Sequence, residues 1–262
     1  MQASGGAMSV DSVAARANCT IQSGPAASVL GAQAVGAMAG EPDFVSFDMG
    51  GTSTDVSLVR NGRYSLVEET KEEGYHLRVP MIDVVSIGAG GGSLAWIDSG
   101  GVLKVGPESA GAEPGPACYG TGDKPTVTDA NVVLGYIDPD FFLGGEIDLD
   151  AERSRRAIEN GIAKQLGMET VEAASGIVRV ANANMIRAIK RITIERGHDI
   201  RDFSLIPAGG AGPLHGGRLL SELAMRRAII PAYPGVLSAC GLVEADLEYQ
   251  HGQTILAKLD EV

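Results

Sequence analysis

The chain is poor in aromatic residues, in positive charge and in paired cysteines, and each shortage narrows what it can do. Phe, Tyr and Trp make up 5% of the 262 residues, which argues against a base-stacking surface for nucleic acid. Lys and Arg number 21 against 33 Asp and Glu, a net charge of −12. A nucleic-acid binder relies on a positive field that this chain lacks overall, so no nucleic-acid partner is expected. Acidity does not exclude an anionic ligand, because backbone dipoles bind phosphate in acidic proteins too. Cys19, Cys118 and Cys240 are odd in number and far apart, with no CxxC. They read as reduced, mostly buried thiols of a cytoplasmic protein. No apolar run reaches the ~18 residues that span a bilayer, and MQASGGAMSV has neither the basic nor the apolar region of a signal peptide. No membrane partner is expected.

What the chain has in plenty is glycine. Its 36 glycines are about twice the ~7% background, which points to tight turns and close backbone approaches. Apolar residues make up 44%, enough for a sizeable core in one large or two modest domains.

Ser9 or Asp11 is placed to cap a short helix through Ala15. Ala26 to Met38 reads as a second helix, ended by Gly40 and Pro42. DFVSFD, DVSLV and RYSLVEE read as strands, with Asn61-Gly62 as a hairpin turn, so 43–69 is expected to be a three-stranded antiparallel meander. Residues 86–122 are Gly-rich, but Leu94, Trp96, Ile97 and Val105 are spaced as core residues would be, which predicts an ordered, loop-rich insertion. DANVVLGYI predicts a short helix with Asp129 as a candidate cap. Two longer helices are expected at about 150–166 and 169–196. The second carries an apolar stripe from Val171 through Ala174, Val178, Ala181, Met185 and Ala188 to Ile192, read as core packing. Arg187, Lys190, Arg191 and Arg196 sit in its last turns, where cations suit the helix dipole, and Gly197 ends it. FSLIPA is then a strand, GGRLLSELA a helix, RRAIIP a strand ending at Pro231, and PGVLSACGLVEADL a final helix.

The stretch FDMGGTSTD, residues 47–55, joins two strands. It is therefore no P-loop, which needs GK[ST] and a following helix. Gly50 and Gly51 let the backbone turn with its N–H groups facing inward. Those groups, with the hydroxyls of Thr52 and Ser53, are suited to cradle a phosphate. A carboxylate beside a phosphate is tolerated only with a cation between them, so Asp48 points to Mg²⁺, and Asp55 either shares that role or orients the turn. A polar hairpin whose Asp and Thr bond the local backbone is the rival reading. A second turn, with Gly209, Gly210 and Gly212, follows a strand and opens a helix, a standard setting for close ligand approach. The order strand–DxGGT–strand, helices, strand–GG–helix resembles the actin-like ATPase fold, whose first turn takes the phosphates and whose second takes the adenosine.

The resemblance extends beyond fold. SGPAASVLGA, FDMGGTSTDVSLV, VPMIDVVSIGAGGGSLAW, AGAEPGPACYG, PTVTDANVVLG, ERGHDIRDFSLIPAGGAGPLHG and PGVLSACGL occur in this order. Together they resemble the hydantoinase A/oxoprolinase family, which holds ATP-dependent hydantoinases, oxoprolinases and subunits of acetone and acetophenone carboxylases. The resemblance implies an α/β fold: an actin-like ATPase (ribonuclease H-like) domain with a mixed sheet, helices on both faces and a Gly-rich insertion. It implies one core domain over 1–262, with the first helices and phosphate-loop meander in 1–70, the Gly-rich insertion in 71–149, and the helical and adenosine-loop part in 150–262. No second DxGGTxTD copy is present, so the resemblance also implies that the N-terminal domain of a longer subunit is absent here.

ATP and Mg²⁺ are the implied cofactors, with Asp48 on the metal and Asp48 and Asp55 catalytic. The implied substrate is a cyclic amide, or alternatively a ketone to be carboxylated, and a non-catalytic nucleotide-binding or assembly module is a further reading. A second, larger subunit and a homo-oligomer are the implied partners. Asp83, Gly90, Gly91, Glu113, Asp129 and His215 are candidates for substrate or metal contact. Relatives often carry a histidine two residues after the aspartate at position 83, where this chain has Val85. Cys118 has no neighbouring histidine to act as a base and fits no nucleophile elbow. His76, His198 and His251 show no metal-ligand spacing.

Overall fold

The computed structural model describes residues 1–72 and 74–249. Ser9 caps α1 (Val10–Ala15), its hydroxyl accepting the Ser12 N–H at 3.2 Å. Small residues dominate the next helix, α2 (Ser23–Met38). They let a second helix lie directly on its backbone.

The strands follow. β1 (Phe44–Met49) pairs antiparallel with β2 (Thr54–Arg60), and Asn61-Gly62, both at positive φ, turn the chain into β3 (Arg63–Tyr64). The expected third strand of the meander breaks after Tyr64. β4 (Leu66–Val67) instead pairs with β7 (Met81–Ile82), and the hairpin of β5 (Thr70–Glu72) and β6 (Tyr75–Leu77) lies between them. The reason is competition for one edge. β8 (Val84–Ile87) occupies the Thr54–Ser57 half of β2, leaving β3 only Val59 and Arg60.

The Gly-rich segment is ordered, as expected. β9 (Ser93–Ile97) and β10 (Leu103–Ser109) form their own antiparallel ribbon, with Ala95 and Val105 buried. Trp96 departs from its expected core role, being 44% exposed. The short helix of this segment is α3 (Val127–Val133). Its cap is Thr126, with Asp129 as the reciprocal partner in a capping box rather than the cap itself.

The first long helix is α4 (Ala151–Ile158), which passes through a π-helical turn into α5 (Lys164–Leu166). The second is α6 (Thr170–Ile192). Of its predicted stripe, Ala174, Val178, Ala181, Met185, Ala188 and Ile192 are buried, whereas Val171 in the first turn is half exposed. A 3₁₀ turn follows α6 and ends at Gly197 in the left-handed region.

The last strand, β11 (Ser204–Ala208), runs parallel to β1 along its other edge. Next come α7 (Gly212–Leu223) and α8 (Leu237–Glu244). The strand expected at 226–231 is reduced to one bridge, Leu205 with Ala228. Pro231 has no N–H to extend it.

The main sheet is thus mixed, in the order β11-β1-β2-β3 with β8 also on β2. One face, through Val45, Phe47, Met49 and Leu205, packs on α6 and α7. The other, through Phe44, Val59 and Ile206, packs on α2 and α8. Added side-chain carbons at Gly31 and Gly241 would strike the backbone of Leu237 and Ala27, so α8 lies on α2 at glycine distance. No helix among the described residues is long and apolar enough to cross a membrane.

Candidate functional site

Parallel pairing of β1 and β11 puts Asp48 beside Ala208, and the two glycine turns therefore emerge at the same end of the sheet. Ala211 N–H donates to the Met49 carbonyl at 3.0 Å. Gly209, at φ +80°, packs so close that any side chain would fall on that carbonyl and on the Asp48 carboxylate. The run expected to approach a ligand closes the third side. Gly91 and Gly92 donate to the carbonyls of Gly50 and Gly51 at 3.0 and 2.6 Å. A Cβ on Gly90 would sit 2.6 Å from the Gly51 backbone.

The turn itself is held from within by Gly50 N–H to the Ser53 carbonyl at 3.1 Å. With its carbonyls taken by Gly91 and Gly92, the turn keeps N–H groups to offer. Among the described residues, no protein acceptor meets the N–H groups of Gly51, Thr52 or Gly210, and all three residues are exposed. Such a set of outward N–H groups on rigid glycine turns can bind an anion.

Asp48 and Asp55 are direct partners in the β1–β2 ladder, so their carboxylates stand on one face. Burial raises the pKa of Asp48, and the proximity of the Ser28 hydroxyl on α2 opposes the rise. Asp55 accepts a short hydrogen bond from the Ser86 hydroxyl on β8. A half-buried carboxylate whose charge is costly, beside a second one, fits Mg²⁺, which needs only one or two carboxylates besides phosphate and water. Among the described residues no three His, Cys, Asp or Glu side chains cluster as a fuller metal cage.

Other expected contacts lie elsewhere. Asp83 forms an ion pair with Arg196, whose pKa is raised by that hydrogen bond. Asp129 is buried and saturated. It accepts from the N–H groups of Ala117, Cys118 and Thr126 and from the hydroxyls of Thr126 and Ser154, at 2.6–3.1 Å. It is therefore a knot tying three segments together and has no lone pair aimed at a ligand. Glu113 is exposed, on the loop that hangs from Gly92 through the Ala110 N–H at 2.8 Å. His215 is buried, with Nδ1 2.7 Å from the Asn182 Oδ1 of α6, and burial lowers its pKa to about 4. Gly212 packs on Phe47.

Cys19 and Cys118 are buried and Cys240 is exposed. His76 meets Glu69 at 3.1 Å and His198 stacks edge-on with Phe203. His251 lies outside the described residues.

Three contributors went unrecognised in the sequence. Thr54 is buried and its hydroxyl donates to the Ala89 carbonyl. Ser86 bonds Asp55. Thr128 donates its N–H to the Gly91 carbonyl at 2.7 Å. Thr54 lies inside the quoted motif, which was the available signal. Ser86 and Thr128 become partners only through sheet pairing and the α3 cap.

A family model described as Hydantoinase/oxoprolinase matches residues 1–251. The alpha subunit of a caprolactamase from Pseudomonas jessenii is 43% identical over 247 residues, covering 94% of this chain and 36% of that protein. A crystal structure of the ATP-dependent caprolactamase from the same organism superposes with a TM-score of 0.81 at 44% identity, over 89% of this chain and 34% of that one. A nucleotide-free structure of acetone carboxylase superposes with a TM-score of 0.86 at 33% identity, over 95% and 35%. The chain thus spans about a third of the length of these relatives. On these matches and the shared architecture, the chain belongs to the hydantoinase/oxoprolinase family.

Proposed function

We propose that this chain forms the phosphate-binding core of an ATP-dependent enzyme that opens cyclic amides. The observation that carries the reading is the convergence of Gly50–Gly51, Gly90–Gly92 and Gly209–Gly210 around the paired carboxylates Asp48 and Asp55. The names of the relatives supply the chemistry: an ATP-dependent caprolactamase acts on a cyclic amide.

In this reading Asp48 holds Mg²⁺, directly or through water, and Asp55 shares the ion or steadies the turn through Ser86. The N–H groups of Gly51 and Thr52 take phosphate oxygens, and the Gly209–Gly210 turn takes the adenosine side. Bound MgATP supplies the phosphoryl group that activates an amide oxygen toward ring opening. The residues contribute positioning and charge neutralisation, the dominant factors in phosphoryl transfer. The opposite wall of the nucleotide site comes from another part of a longer protein, and a second subunit completes the enzyme in the cytoplasm.

Titration of the chain with MgADP and MgATP tests the nucleotide reading. Saturable binding lost in Asp48→Ala supports it, and no binding to the full-length protein would overturn it. A ketone carboxylase subunit is the second reading, favoured by the higher TM-score to acetone carboxylase. Substrate-stimulated ATP hydrolysis by the full-length protein separates the two, with a lactam in one arm and a ketone plus bicarbonate in the other.

A further inference from the structure

On the α6 side of the sheet, away from the paired carboxylates, a cleft of about 790 Å³ opens between the β9–β10 ribbon and the C-terminal half of α6. That volume lies within the range of small-ligand sites, about 300–1,000 Å³. Its floor is apolar, built from Ile87, Leu103, Val105 and Val180. Trp96 forms a wall, and its indole N–H donates to the Gly106 carbonyl at 3.1 Å, which fixes the ring. Asn184 crosses the cleft to the Val105 carbonyl at 3.1 Å, tying helix to ribbon.

The rim is cationic in a chain of net charge −12. Lys190 and Arg191 lie three and four positions after Arg187, and all three line the cleft. Among the described residues none of the three forms an ion pair; Arg187 bonds only the Asn184 amide oxygen. Lys104, across the ribbon from Trp96, is already met by Asp98 at 3.6 Å. Among the described residues Glu195 is the one carboxylate on the rim, a turn beyond Arg191. Three cations line the lip of an apolar cleft, where an anion with an apolar body would pair with them while covering the floor.

We propose that this cleft binds a carboxylate with an aliphatic or aromatic body, the acid group at Arg187, Lys190 and Arg191 and the body against Trp96 and Val105. Gly88 and Ala89 also line it, and the chain runs directly from them into Gly90–Gly92, so an occupant touches the segment that braces the Gly50–Gly51 turn.

Trp96 is the single tryptophan of these 262 residues, and the part of the fluorescence change that is lost in Trp96→Phe reports this cleft. The protein is titrated with hexanoate, with uncharged hexanamide and with inorganic phosphate. The expected result is a saturable change with hexanoate, at least about tenfold tighter than with hexanamide or phosphate, and weakened by added salt. The double variant Lys190→Gln, Arg191→Gln, both at exposed positions, should weaken hexanoate by about tenfold with an unchanged far-UV dichroism spectrum. A failure of hexanoate to saturate the signal overturns the proposal. So does equal binding of hexanamide or phosphate, or a folded double variant that binds hexanoate as the parent does.

Discussion

Asp48 and Asp55 stand directly opposite each other across the β1–β2 ladder, seven positions apart in sequence and on the same face. Like charges in that relation repel, and burial of Asp48 adds to the cost. A cation shared between them would offset that repulsion. The cost is thus placed where a metal-bound phosphate would offset it.

Asp48→Ala should therefore separate activity from stability. In the full-length protein, turnover should fall by about 10²–10³-fold, the scale of losing one preorganised electrostatic group. The melting temperature should hold or rise, since a half-buried charge is removed. Steady-state kinetics at saturating Mg²⁺ and ATP, with a thermal melt, check both. Near-normal turnover would mean that the turn holds something other than a metal-bound phosphate.

Gly90→Ala and Gly210→Ala should differ although both sit at the site. The new carbon at 90 meets the Gly51 backbone at 2.6 Å, whereas the one at 210 meets open space. Gly90→Ala should lower the melting temperature and weaken MgATP binding at least about tenfold, by the loss of close backbone approach. Gly210→Ala should leave the melt unchanged. Calorimetric titration and a melt of each variant decide it, and indistinguishable melts would contradict the packing described here.

Thr54→Val should cost more stability than its place in a polar turn suggests. The hydroxyl is buried and donates to the Ala89 carbonyl. The valine leaves that carbonyl without its donor, at about 1–3 kcal/mol. Urea unfolding of the two proteins gives the difference directly. A change below 0.5 kcal/mol, within the range of ordinary surface substitutions, would rule the link out as structural.

His215 predicts a pH window. Its folded pKa of about 4 lies below the ordinary 6.5, so between those values the unfolded chain binds the extra proton. Stability from this group is complete above pH 6.5 and is lost as pH falls toward 4, by about 3 kcal/mol in all. His215→Gln should flatten the stability profile in that window relative to the parent. Parallel profiles for the two proteins would refute the assignment.

Cys118 should be inert. Burial, then the charge of Asp129, push its thiol up to about 12. Iodoacetamide at pH 8 should label the exposed Cys240 and spare Cys118 in the native protein, as read by peptide mass spectrometry. Rapid labelling of Cys118 without unfolding would overturn this.

Local signals were legible and distant ones were not. Asn61-Gly62 announces its turn because both residues accept positive φ, and the α6 stripe is legible because burial repeats with the helix. The strands carrying Asp48 and Ala208, and hence the meeting of their turns, follow from strand and turn order read against a known fold. Asp83 looked available until the chain brought Arg196 to it from 113 positions away. Asp129 looked like a ligand or a cap, because its donors at 117, 118 and 154 are assembled only by the tertiary fold. The third strand failed because propensity does not reveal that β8 already takes half of the β2 edge, and the 226–231 segment because its pairing stops before Pro231, which has no N–H to give.

The glycine-distance crossing of α2 and α8 has a consequence for biosynthesis. The two helices come from opposite ends of the described chain, and each meets the backbone of the other at a glycine. A nascent chain emerging from the ribosome carries α2 long before α8 exists, so this half of the core stays open until translation has passed Gly241. Premature termination before α8 would release a polypeptide with an apolar seam and no internal means of closing it, a form suited to capture by chaperones or proteases rather than to slow refolding.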